Sequence, residues 1–306
     1  MSHTPSVSSR LFRLLSRLLL LLVLVYFGFG ALIALKMAKP VRRFDASKVA
    51  ALQPLGFQEV RFPARGGDVQ LAGWYVPHAA GRHALILVHG MGSSRTAEYR
   101  GQFSDLIGAM YRSGFAVLSI DLRGHGQSDD ARLSFGIKEH RDVLGAYDYL
   151  RAQGYGPRHI GALGISMGGA SVMMAAAREP GIGAVVSDSA FADISSVMHE
   201  SFQSRTGMPA LLLTPASLWT RLLLGYDLLS ARPVDEVAKL APRPLLIIHG
   251  DADSLVPLRH AHDLKSAYPS AELWIIPGGE HATSFADHTA EYTAQVSKFF
   301  QKSLEN

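Results

Sequence analysis

From residue 18 to residue 35 the chain reads LLLLLVLVYFGFGALIAL, eighteen positions without a charge. As a helix this run measures about 27 Å, close to the ~30 Å hydrocarbon core of a bilayer, and it predicts one transmembrane segment. Beyond it the period changes. Residues 57–64 (FQEVRFPA) and 69–77 (VQLAGWYVP) alternate apolar and polar positions around a GGD turn, the signature of a β-hairpin. Six short, almost wholly apolar runs follow at 84–90, 115–121, 159–166, 183–188, 244–250 and 271–278, as suits parallel strands covered on both faces. Helical spacing fills the intervals at 97–113, 137–153, 167–178, 258–267 and 286–301.

A hairpin followed by repeated strand-helix units predicts one doubly wound α/β domain with a mostly parallel central sheet and helices on both faces. The expected organisation is a short basic N-terminal tail (1–17), a transmembrane anchor (18–35), a linker (36–56) and the α/β domain (57–306). Within that domain, residues 191–232 separate two strands by far more than the usual ~2–6 residues, and we read them as a lid insertion. Their apolar stretch 208–226 is expected to wall an acyl pocket.

Charge sharpens the picture. The net charge is +4, but residues 1–48 hold eight Lys/Arg and one Asp, which leaves the rest of the chain negative. The basic excess flanks the apolar run and forms no patch on the folded domain, so no nucleic-acid partner is expected. Arg10, Arg13 and Arg17 before the run nearly balance Lys36, Lys39, Arg42 and Arg43 after it, so the positive-inside rule does not choose a side of the membrane. The run exceeds the ~7–15 residues of a signal-peptide core and no A-x-A site follows, which favours an uncleaved single-pass anchor. Cysteine is absent, and with it any thiolate nucleophile or disulfide. No HExxH or P-loop spacing occurs, so neither a metal nor a nucleotide cofactor is expected.

The chemistry centres on 161-GALGISMGGAS-171, where Ser166 sits between Gly164 and Gly168 at the end of a strand and the start of a helix. G-x-S-x-G places a serine hydroxyl on a strained turn at the carboxyl edge of a sheet, and the glycines relieve crowding against neighbouring backbone. Such a serine needs a base, and the base an orienting acid. In the order Ser, acid, His the candidates are Asp253 in HGDADSLVP and His281 in PGGEHA, both after strands; Asp188 and Asp251 are rival acids. Backbone N–H groups of Met91, in HGMGSS, and Met167 are the expected oxyanion donors. His89, His125 and His249 are expected to brace turns, and Asp121 to hold its own loop.

HGMGSS, DLRGHGQS, GISMGG, HGDADSLVP and GGEH occur together in one order, and from residue 57 onward the chain resembles the α/β-hydrolase superfamily, in its membrane-anchored Bem46/ABHD-like branch. That resemblance implies a metal-free, cofactor-free serine hydrolase acting on a small-molecule or lipid acyl substrate, ester or thioester, with Ser166, Asp253 and His281 as its triad. A serine peptidase or amidase would use the same three groups. A non-catalytic binding protein on this fold usually lacks one of them, and here all are present.

Overall fold

The hairpin and the six apolar runs become eight strands of one sheet. The computed structural model describes residues 7–79, 81–207 and 209–304. The strands are β1 (Gln58–Pro63), β2 (Gln70–Val76), β3 (Ala84–Val88), β4 (Ala116–Ile120), β5 (Ile160–Ile165), β6 (Ile182–Asp188), β7 (Leu245–Gly250) and β8 (Glu272–Ile276). Their order is β1-β2-β4-β3-β5-β6-β7-β8, antiparallel through β2 and parallel from β4 onward. Every residue of β3, β4, β5, β6 and β7 is buried, which is why these strands read as unbroken apolar runs and not as alternation. Pairs such as Val88↔Gly164, Ile165↔Asp188 and Gly250↔Ile276 align the carboxyl ends, so the loops after β3, β5, β6, β7 and β8 open on one edge.

The longer helices are α1 (Val7–Met37), α2 (Phe103–Arg112), α3 (His140–Ala152), α4 (Met167–Ala176), α5 (Ile194–Thr206), α6 (Thr214–Leu224), α7 (Arg259–Ala267) and α8 (Thr289–Leu304). Phe103, Leu106, Ile107 and Met110 of α2 and Tyr292, Val296 and Phe300 of α8 share one core cluster with Leu85, Leu87, Leu163 and Val186 of the sheet. The alternate strand positions face the other way, where α3 and α4 pack on β3 and β5.

Two expectations from the sequence are corrected. Residues 36–56 are not a mere linker: Ala46–Leu55 form a 3-10 helix, capped where the Asp45 carboxylate accepts the Ser47 N–H at 3.0 Å and closed by Gly56 at φ 67°. Leu52 is fully buried in the core cluster, and Phe44, Val49 and Leu55 pack against it. The predicted helix 97–113 is broken, since Tyr99 and Arg100 take positive φ (50° and 57°) and regular helix begins only at Phe103. The break turns the side chains of Glu98 and Tyr99 inward, where both are buried.

The chain forms two compact units, one of Pro40–Met198 with Ser230–Asn306, the other of Met1–Lys39 with His199–Leu229. The predicted lid is thus divided between them, and Met208 within it lies outside the described residues, as do residues 1–6 of the predicted basic tail. In the smaller unit α1 holds the one span, Arg10–Met37, long and apolar enough to cross a membrane among the described residues. There α6 packs on α1.

Because Leu52 is part of the core, Leu52→Ala is expected to cost ~2–5 kcal/mol of stability, and Gln53→Ala at the exposed neighbouring position no more than ~0.5 kcal/mol. Denaturant unfolding of the detergent-solubilised protein measures both; equal effects would return this segment to the status of a linker.

Candidate active site

Ser166 stands between β5 and α4 with φ 53° and ψ −116°, a conformation few non-glycine residues adopt. The turn exists because its neighbours are bare. A Cβ on Gly164 would overlap the backbone of Gly168, and one on Gly168 would lie 2.5 Å from the carbonyl oxygens of Val88 and His89. The Ser166 N–H donates to the Asp188 carbonyl at 2.8 Å and its own carbonyl accepts from Ala170 at 3.1 Å, so the strained residue is tied on both sides.

His281 arrives on the loop after β8. Its Nε2 lies 3.0 Å from Ser166 Oγ and its Nδ1 2.7 Å from Asp253 Oδ2. With the proton on Nδ1 facing the carboxylate, Nε2 is left to accept from the serine hydroxyl. Asp253, on the loop after β7, is buried and oriented by the N–H groups of Leu255 (2.9 Å) and Val256 (2.8 Å), which both donate to its Oδ1.

The rival acids have other partners. Asp251 accepts the Gly278 N–H at 2.6 Å and caps its turn. Asp188 is buried and accepts the hydroxyls of Tyr99 (2.5 Å), Ser189 (2.8 Å) and Ser284 (3.0 Å). Ser189 Oγ in turn accepts the Ala282 N–H at 3.2 Å, and Tyr292 Oη lies 2.9 Å from Tyr99 Oη. This network grips the loop next to His281 from within the core. Ser189 and Ala282, like Ser166, hold positive φ (54° each), so backbone strain gathers around the relay.

The loop after β3 approaches the serine directly, since a Cβ on Gly90 would lie 3.2 Å from Ser166 Cβ. Its N–H groups are largely claimed. Gly90 N–H donates to the Glu98 carboxylate, and Gly92 N–H to His125 Nε2 at 3.2 Å. The N–H groups of Met91 between them and of Met167 at the start of α4 donate to no acceptor among the described residues. His89 braces the same loop: Nδ1 contacts the Gly90 carbonyl at 2.7 Å and Nε2 accepts the Leu122 N–H at 3.0 Å. Burial holds His89 and His125 below the ordinary histidine range, which keeps both neutral as these bonds require. Asp121 takes the N–H groups of Arg95 (2.9 Å) and Gln127 (2.8 Å), and His249 Nε2–H donates to the Val256 carbonyl at 2.7 Å, beside Asp253.

Residues 102–306, which hold the serine, the histidine and the acid, match the prolyl oligopeptidase family. The chain belongs to the prolyl oligopeptidase family. It is 28% identical over 272 residues to the uncharacterized protein YfhR of Escherichia coli K12, covering 85% of this chain and 86% of that one. The serine hydrolase BPHL of Mus musculus is 28% identical over 246 residues, covering 72% and 80%. Among solved structures, the Pyrococcus furiosus esterase Pf2001 superposes with a TM-score of 0.71 at 21% identity, over 87% of this chain and 99% of that one. This family member is an α/β-hydrolase-fold enzyme of the serine hydrolase, esterase-like kind, as its motifs imply.

Sequence reasoning missed Glu98, Tyr99, Ser189, Ser284 and Tyr292, whose roles depend on the helix break and on contacts between distant loops. Glu98 and Asp188 are both pushed above the usual carboxylate range, first by desolvation. A carboxyl raised on folding adds stability below its unfolded value and loses it as pH rises through the folded one. The thermal midpoint of the wild type is therefore expected to fall across that window, and Glu98→Gln, neutral throughout, to flatten the fall. Scanning calorimetry over a pH series checks this; parallel curves for the two proteins would contradict it.

Proposed function

We propose that this enzyme is a membrane-anchored serine acyl hydrolase with Ser166 as nucleophile, His281 as general acid and base, and Asp253 as the acid that orients it. The observation that carries the reading is the unbroken relay from Ser166 Oγ through His281 to Asp253, at 3.0 and 2.7 Å. Ser166 Oγ attacks the acyl carbonyl carbon while its proton passes to His281 Nε2, and the carbonyl π pair becomes the oxyanion. The N–H groups of Met91 and Met167 receive that charge; loss of one such donor in comparable sites lowers turnover by ~10²–10³. Collapse of the intermediate breaks the bond to the leaving group, which takes the proton from His281. Water then gives His281 a proton as it attacks the acyl-enzyme, and Ser166 leaves with that proton. No step calls on a metal or cofactor.

The substrate class we favour is an ester or thioester with an apolar acyl group. The similarity to a serine hydrolase and the fold shared with an esterase support acyl transfer to water. The single apolar span of α1 supports a single-pass anchor that raises the local concentration of lipid or acylated substrates. The prolyl oligopeptidase family match supports one second reading, a peptidase that uses the same relay on an amide.

Purified protein is expected to hydrolyse p-nitrophenyl acyl esters, with kcat lowered ~10³-fold or more in Ser166→Ala and comparably in His281→Ala. Asp253→Asn is expected to lose ~10⁴-fold through the wrong histidine tautomer. Faster turnover of aminoacyl-p-nitroanilides than of esters would select the peptidase reading, and full ester activity in Ser166→Ala would reject both.

A further inference from the structure

In the smaller unit α6 meets α1 at a defined level. Pro215 lies so close to Gly30 that a Cβ there would stand 2.5 Å from the proline ring. Tyr26 Oη donates to the Leu211 carbonyl at 2.9 Å, and Trp219 Nε1–H donates to the Phe27 carbonyl at 2.7 Å. Gly30 precedes Lys36 by six residues, about 9 Å along the helix axis. The inference rests on the reading of α1 as an anchor. With Lys36 and Lys39 at the headgroups, the contacts run from about 9 Å inside Lys36 at Gly30 to about 15 Å at Tyr26, all within the half of a ~30 Å hydrocarbon core next to Lys36.

The side chains of this segment suit that depth. Leu211, in the 3-10 turn just before α6, and Leu218, Leu222 and Leu223 of α6 are 68%, 43%, 66% and 51% exposed, and Leu218 and Leu222 stand one turn apart on the helix. α1 likewise exposes Leu18 to Leu24, the apolar stretch of the span. A lid that closed only on a pocket would turn such leucines inward. Polar groups are satisfied locally: Thr220 Oγ1 donates to the Ser217 carbonyl at 2.9 Å, the Trp219 N–H is used on α1, and Arg221 is paired with Asp227 at 2.6 Å. Hydrocarbon demands such internal pairing.

We propose that α6 is a membrane-embedded helix, docked on α1 within the leaflet next to Lys36, with its leucines against lipid acyl chains. It is too short to span: eleven residues measure about 17 Å. The chain thus holds its membrane by two helical elements, one crossing and one lying within a single leaflet.

The absence of native cysteine gives a clean test by spin labelling. Leu218→Cys, Leu222→Cys and, as the anchor control, Leu21→Cys are labelled singly in the full chain and reconstituted into phosphatidylcholine and phosphatidylglycerol vesicles. Collisions with oxygen and with a nickel chelate are then measured at each site. The expected result is loss of nickel collisions with oxygen collisions retained at 218 and 222, as at 21. Nickel access at 218 and 222 with a lipid-facing label at 21 overturns the proposal and leaves the anchor standing. Suppression of both collisions means that protein covers the face, either the folded domain or a second copy, and overturns it equally. Nickel access at 21 removes the anchor reading and this proposal with it.

Discussion

The structure around the serine depends on space that side chains would otherwise occupy. Ser166 keeps φ 53° only because Gly164 and Gly168 let the strand, the turn and the first turn of α4 pass within contact of each other and of the carbonyls of Val88 and His89. Positions in this conformation cost ~1–3 kcal/mol and persist when their surroundings over-determine them. Here the surroundings are the hydrogen bond from Ser166 to Asp188 and the buried strands β3, β5 and β6. A rigid sheet delivers the hydroxyl, and loops from four further strand ends are brought to it.

Those loops are braced by two buried carboxylates, Glu98 and Asp188, that pair with no Lys or Arg among the described residues. Glu98 holds the Gly90 N–H, while Asp188 gathers three hydroxyls and through Ser189 the loop that follows His281. Asp253 differs in facing the histidine itself. The division explains why the three aspartates that were candidates for the triad acid are used differently: Asp251 points at an exposed turn, Asp188 into the core, and Asp253 at the imidazole. Neutral His89 and His125 complete the support of the loop that leaves the Met91 N–H unclaimed.

How much of this was legible follows from the kind of order involved. The parallel strands were readable because burial on both faces demands uninterrupted apolar runs, and 159–166 contains β5 almost residue for residue. Glycine spacing around Ser166 was readable because it reports a steric need at one turn. The segment 46–55 was not, since a 3-10 helix with apolar groups at 49, 52 and 55 has neither of the periods that mark helix or strand. Glu98 and Tyr99 were hidden for another reason: both fit a helix by propensity, and only burial against Gly90 and Asp188 breaks the helix where they stand. The stretch 208–226 was recognisably apolar, yet its composition could not reveal that Pro215 and Trp219 dock on α1.

The central claim is that Ser166 is an activated nucleophile. Reaction of the intact, detergent-solubilised enzyme with a fluorophosphonate probe, followed by mass spectrometric location of the adduct, tests it most directly. A phosphonyl adduct on Ser166, slowed sharply by Asp253→Asn and little by Asp251→Asn, is the predicted result. Absence of an adduct on folded enzyme, or its appearance on another serine, would contradict the account.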